Sequence, residues 1–492
     1  LAVDFVLEGT IRWDKTGEVS VVRVTPQLIQ ADGDIHLWSK SYDEAITNVF
    51  AVQSHIAGQI ASVLDIQITA SEEVQITHVP TENMEAYDYY LRGNDYLEHR
   101  RGERALRISI QLFQKAIELD PRFAMAYIQL SMAHTRMIWN VYDMSDARFD
   151  SAQAAITIAS EISPDIPEIH LARGLFYFQG IADYTHGLQE LQIATRKLPN
   201  NSQAICYTAS ALAHLGRWEE AEREYKKAVA MDPRDVGVLR GYANLLRYLH
   251  RFHESDSLYG RIIELQPDDE LANHMKILLS ILLTGNTEKG RRILTEARNR
   301  TGLDLPCISW WLEIMDRDYE SALSILMQHE TWDCSFLTEH EWYIQTGDCY
   351  RFLNQDEQAK LYYDSARVLI ENEVDKATIV QSWNRACLAY VYAALDRKED
   401  AIREGKLSIE VWPVSEDAVN SPDKHEWLAK TYTLIGEYDL AVEQLEYLAS
   451  IPAGLLPLPF LKSAYFAPLQ DNPRFQALIE KYETKQNFKG ET

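Results

Sequence analysis

Cysteine is scarce. The five, Cys206, Cys307, Cys334, Cys349 and Cys387, are scattered, odd in number and without a CxxC pair. That pattern fits neither a disulfide framework nor a zinc site, and predicts small buried residues. Long apolar runs are missing too: the longest obvious one, Ile277–Leu283, falls far short of the roughly 20 residues of a membrane span. Positive charge is in deficit, with 48 Lys and Arg against 74 Asp and Glu and a formal net charge of −26. Phosphate binding needs Lys/Arg clusters to displace counterions, so the charge argues against nucleic acid as a partner of this region, and against anionic lipid. A basic partner is compatible with it, and so is a merely well-solvated acidic surface. No low-complexity tract occurs, which argues against large-scale disorder.

Recognisable catalytic patterns are absent as well. No GxSxG occurs. Gly285-Asn286-Thr287-Glu288-Lys289-Gly290-Arg291-Arg292 has the glycine spacing of a P-loop, but no Lys-Ser/Thr follows and no apolar strand precedes it. It reads as a turn between helices. His250 and His253 stand three apart at such a turn, with no third metal ligand in view. The sequence therefore predicts no enzyme, no cofactor and no metal site.

What is present begins with residues 1–70, which read as β-β-β-α. Val3–Trp13 is rich in β-formers, Asp14–Glu18 is turn chemistry, and Val19–Ile29 alternates with the period of a half-buried strand. Pro26 lacks a ladder donor, so this strand is expected at an edge or a bulge. Ile35–Tyr42 is the third strand, and Asn48 can cap the helix that follows. Three strands and one helix make a thin core. The chain enters this strand-like sequence directly at Leu1, which predicts a fragment of a longer protein.

Residues 71–83 read as a linker and 84–450 as a repeat array. Pro199, Pro233 and Pro267 follow one another at intervals of 34 residues. Between them Ala209, Leu212, Gly216, Trp218, Ala221, Tyr225 and Ala228 have counterparts in Ala243, Leu246, His250, Phe252, Ser255, Tyr259 and Ile262. Small residues let two helices cross closely, aromatics fill the gap to the next pair, and proline ends the second helix. The pattern resembles the tetratricopeptide repeat, and weaker copies bring the array to roughly ten units. The expected fold class is mainly α: a right-handed solenoid of helix pairs, preceded by a small α/β fragment and closed by a capping segment at 451–492.

A wider resemblance runs along the chain. Phe5–Arg12, Arg23–Ile29, His36-Leu37-Trp38, Tyr42-Asp43, Phe50 and Gln53 resemble the end of a TolB-like domain, its first half missing. Pro80–Asp88 with Tyr90-Leu91-Arg92-Gly93 resembles the usual link into a tetratricopeptide array, and Phe466–Phe475 its usual close. In this family the upstream part commonly carries an output module: a cyclase, a kinase or a winged-helix domain. The resemblance implies the sensory or regulatory half of a bacterial signalling protein. The alternative is a stand-alone assembly scaffold without an output module. It supplies no catalytic residues, and it leaves a cytoplasmic and a periplasmic location both open.

Helix A of the repeat starting at Val236 places Arg240, Asn244, Arg247 and Tyr248 at positions that line the groove of such arrays. Arg240 and Asn244 resemble the first part of the carboxylate clamp of some tetratricopeptide domains, but Met275 stands where the clamp wants Asn. These four are the candidate partner-binding residues, for a protein or peptide ligand that is acidic or presents its C-terminus. An oligomer through the repeats or the open sheet edge is compatible with the same reading. The aromatic cluster Trp310, Trp311, Trp332, Trp342 and Tyr343 is either a partner hot spot or packing between repeats.

Overall fold

A computed structural model describes residues 4–14, 21–45, 49–65, 79–100, 102–328, 338–372 and 379–487. The chain forms two compact units, Leu1–Ala172 and Arg173–Thr492.

The first unit opens with an antiparallel sheet of β1 (Phe5–Asp14), β2 (Val21–Gln30), β3 (Ile35–Ser39) and β4 (Tyr42–Ala45), followed by helix α1 (Val49–Val63). β2 is central. It pairs with β1 along one side, and with β3 and then β4 along the other. Pro26 therefore does not lie on an edge strand. The expected third strand is instead broken in two, and Pro26 falls at the break between the β3 and β4 pairings, so its missing donor interrupts no ladder there. A register shift follows at Leu28/Ile29. Opposite Pro26 stands Gly9, where an added Cβ would come within 3.0 Å of the Thr25 carbonyl oxygen. Leu28, Tyr42 and Val52 form a small buried core, while Phe5, Leu7 and Ile11 of β1 are 43%, 52% and 60% exposed. Asn48 and most of the predicted 14–18 turn lie outside the described residues.

Helix pairs follow in both units. The first unit holds Met84–His99 with Glu103–Leu119 and Ala124–Trp139 with Asp146–Ile162. Next comes Glu168–Leu175, continued by a π-turn at Phe176–Gly180, with Tyr184–Lys197. The second unit continues with Ser202–His214 and Trp218–Met231, then Val236–Tyr248 and Phe252–Leu265, then Glu270–Thr284 and Glu288–Thr301. Pro306–Asp316 and Tyr319–Gln328, Glu339–Phe352 and Asp356–Glu371, Ile379–Ala394 and Lys398–Val411, and Pro422–Leu434 and Tyr438–Leu448 complete the series. This is the tetratricopeptide-type α-solenoid that the 34-residue period predicts.

The repeat chemistry acts as expected. Ala209, Ala221 and Ala228 are fully buried at the helix crossings, and Tyr225 and Tyr259 fill the space beyond them. A left-handed residue closes the turn inside one pair after another: Gly216, His250, Asn354, Asp396 and Gly436 all have positive φ. Glycine adopts that conformation freely, and Asn and Asp tolerate it. Gly285 does the same at the end of Glu270–Thr284, so the P-loop-like run is an inter-helix turn. Beyond Leu448, Leu458–Leu461, a 3-10 turn at Ala464–Leu469 and Pro473–Asn487 bury Leu461, Phe466, Leu469 and Phe475 against the core of the last pairs.

One cysteine departs from expectation. Cys206, Cys349 and Cys387 are free and buried, but Cys307 is disulfide-bonded. An odd, scattered set hides a single pair from spacing arguments. Trp310 is buried and Trp311, Trp342 and Tyr343 pack against the same core, while Trp332 lies outside the described residues. Among the described residues no helix is long and apolar enough to cross a membrane.

Candidate functional site

Helix Val236–Tyr248 is started by Asp235, whose carboxylate accepts the Val238 N–H. Val238, Leu239, Tyr242, Ala243, Leu245 and Leu246 are its buried residues. The remaining face carries the four candidates, and the structure gives them different roles. Arg240 donates to Asp269 at 2.6 Å, and the Asp269 side chain is fully buried. Asp269 also caps the next helix by accepting the Ala272 N–H. Asn244 accepts the Tyr259 hydroxyl at 2.7 Å. Arg240 and Asn244 thus brace neighbouring helices and do not form a vacant clamp.

Arg247 is different. Its guanidinium lies 4.4 Å from the Tyr248 ring centroid. Asp423 acts on it through space, and no ion pair closes on it among the described residues. The imidazole of His274 is lowered to about 4, first by burial and then by the Arg247 charge. The Tyr248 carbonyl accepts the Ala453 N–H at 2.9 Å. Arg247, Tyr248, His274 and Asp423 therefore share one electrostatic neighbourhood, built from three repeats.

A second feature was not foreseen. Between helices Lys398–Val411 and Pro422–Leu434 the chain makes a ten-residue connection, Trp412–Ser421, that docks on repeats some 200 residues earlier. Asp417, fully buried, accepts the Tyr184 hydroxyl at 2.6 Å and faces His214 Nδ1 at 2.9 Å. Its oxygens also accept the Val419 and Asn420 N–H groups and the Asn420 side chain. Burial alone would raise this carboxyl, but the His214 contact and the hydrogen bonds hold it well below the usual carboxylate range. Burial and the Asp417 charge push the Tyr184 phenol up. The Ala418 N–H donates to the His214 carbonyl at 2.8 Å. At the base, Lys424 Nζ and Ser421 Oγ both donate to the Trp412 carbonyl. Lys424 is lowered to about 8 by burial.

The other sequence candidates stay apart from these groups. His250 takes the left-handed turn and stacks on Phe252, and His253 is exposed. Among the described residues no three His, Cys, Asp or Glu side chains are placed to hold a metal.

No family model matches the chain. A Rhizobium meliloti (strain 1021) protein named "Putative adenylate cyclase 3" is 29% identical over 164 residues, which is 33% of this chain and 26% of that protein. The chain thus matches about a quarter of that relative's length. Among solved structures, a thermophilic tetratricopeptide protein of Thermus thermophilus is 16% identical at a TM-score of 0.34, covering 40% of this chain and 99% of its own. YrrB, described as a tetratricopeptide protein with an unusual peptide-binding site, is 18% identical at 0.27, covering 39% and 92%. The human IFIT1 dimer with PPP-AAAA is 14% identical at 0.38, covering 82% and 81%. The fold assignment rests on the helix pairs and their period, not on these matches.

Proposed function

We propose that this chain is a non-catalytic scaffold that binds an acidic peptide or a peptide C-terminus. In this reading it is the sensory region of a bacterial signalling protein whose output domain lies upstream, and residues 1–70 are the end of a TolB-like domain. The observation that carries the binding half is Arg247. A guanidinium on the groove face of helix A, stacked on Tyr248 and, among the described residues, without an ion-paired carboxylate, is a ready partner for one. The rest of the chain is acidic, so an acidic ligand is repelled elsewhere and oriented here. The signalling half is supported by the resemblance of residues 5–53 and by the partial match to a protein named as a cyclase.

The test is a panel of synthetic peptides titrated calorimetrically against the full chain. Acidic and basic sequences are each presented with free and amidated C-termini. Acidic peptides, tightest with a free carboxylate, are expected to bind. Preference for the basic set would overturn the assignment of ligand charge.

A further inference from the structure

We propose that Trp412–Ser421 is a detachable strap that occupies part of the groove in place of the ligand, and that an acidic peptide binds by displacing it. The inference rests on the peptide-binding reading above and adds its regulation.

The strap resembles a bound peptide in its contacts. Only Asp417, Ala418 and Val419 are buried within its central stretch, while Ser415, Glu416 and Asn420 are exposed. One main-chain hydrogen bond, from Ala418 N–H to the His214 carbonyl, joins it to helix Ser202–His214. One carboxylate, Asp417, sits in a socket made by Tyr184 and His214. The segment itself is folded as two successive turns, 414–416 and 418–420, closed by its own main-chain bonds from Glu416 and Asp417 to the Pro413 carbonyl and from Ser421 to the Asp417 carbonyl.

The distribution of hydrogen bonds makes release easy. Three donors to Asp417 come from the strap itself: the Val419 and Asn420 N–H groups and the Asn420 side chain. Two partners come from the body, Tyr184 and His214. A departing strap keeps its three and takes water for the rest. Tyr184 and His214 stay behind as a polar socket that fits another carboxylate. Packing adds little against release: two small apolar side chains are buried, and a cavity of about 260 Å³ lined by Tyr184, Leu215, Trp412 and Glu416 lies beside the loop. The base is fixed through the Trp412 carbonyl, so the strap lifts without separating the helices that flank it. Its charge acts on the groove as well, since Asp417 acts on Tyr248 through space.

The experiment uses the full chain and a labelled peptide with the strap's own sequence, Val414–Asn420, read by fluorescence anisotropy. Asp417→Ala empties the socket, and the probe is expected to bind that variant at least about tenfold tighter than wild type. A probe with Asn for its Asp should lose the gain. If Asp417→Ala fails to fold by circular dichroism, a cysteine pair replaces it. A Cβ built on Gly216 lies 3.5 Å from Ala418 Cβ, within disulfide reach; Gly216 is left-handed and a side chain there is strained, so circular dichroism checks the fold of this pair as well. In Gly216→Cys/Ala418→Cys, oxidation should abolish probe binding and reduction restore it. Equal affinity of wild type, Asp417→Ala and both redox forms for a peptide that binds through Arg247 would overturn the strap and leave the scaffold reading intact. No binding by any form would overturn both.

Discussion

Asp348 and Asp417 are both buried carboxylates, yet they do opposite things for the second unit. Asp348 sits within helix Glu339–Phe352 and accepts three tyrosine hydroxyls: Tyr363 at 2.6 Å, Tyr390 at 2.5 Å and Tyr465 at 2.7 Å. Those tyrosines come from the paired helix, the next repeat and the C-terminal segment. Arg351 joins the cluster through the Tyr363 and Tyr390 hydroxyls. Asp417 sits in a loop and takes three of its hydrogen bonds from that loop. A buried carboxylate is costly wherever it lies. When its partners come from several regular elements, it fastens them together. When most come from its own segment, it stabilises that segment and only latches it to the rest.

The largest expected effect follows from the first case. Asp348→Ala leaves three phenols without their acceptor and Arg351 without the carboxylate 3.5 Å away, and should cost about 3–5 kcal/mol of unfolding free energy. Asp417→Ala should cost the whole fold clearly less, because local opening can absorb the loss. Urea denaturation of both variants checks the ranking, and an equal cost would break the comparison.

Arg240→Ala tests an intermediate case. Asp269 loses its cation but keeps the Ala272 N–H. A loss of about 1–3 kcal/mol is expected, and Arg240→Ala with Asp269→Ala together should lose less than the sum of the two. Strict additivity in thermal melts would show that the pair does not brace the repeats.

The repeats were legible in the sequence because their causes are local and recur. A proline after the second helix of a pair, small residues at the crossing and a turn residue each leave a mark every 34 positions. That Arg240, Asn244 and Arg247 share one side of their helix was legible too, since helical spacing alone puts them there. What consumes Arg240 and Asn244 was not, because Asp269 and Tyr259 lie outside their helix. The strap was hidden for a stronger reason: Asp417 and His214 are 203 residues apart. Its one visible sign was length, ten residues at Trp412–Ser421 where the junction at Asp232–Asp235 needs four. In the sheet, strand propensity ran through Ile35–Tyr42 and missed the break that accommodates Pro26.

The central claim is that the groove selects a carboxylate through Arg247. Its most direct test titrates the best acidic peptide against wild type, Arg247→Lys and Arg247→Ala, with circular dichroism as the control for folding. The alanine variant should bind about 10–100-fold more weakly, as loss of a charge-assisted hydrogen bond predicts. The lysine variant should fall between, since a point charge replaces a planar fork. Three equal affinities in three folded proteins would contradict the account.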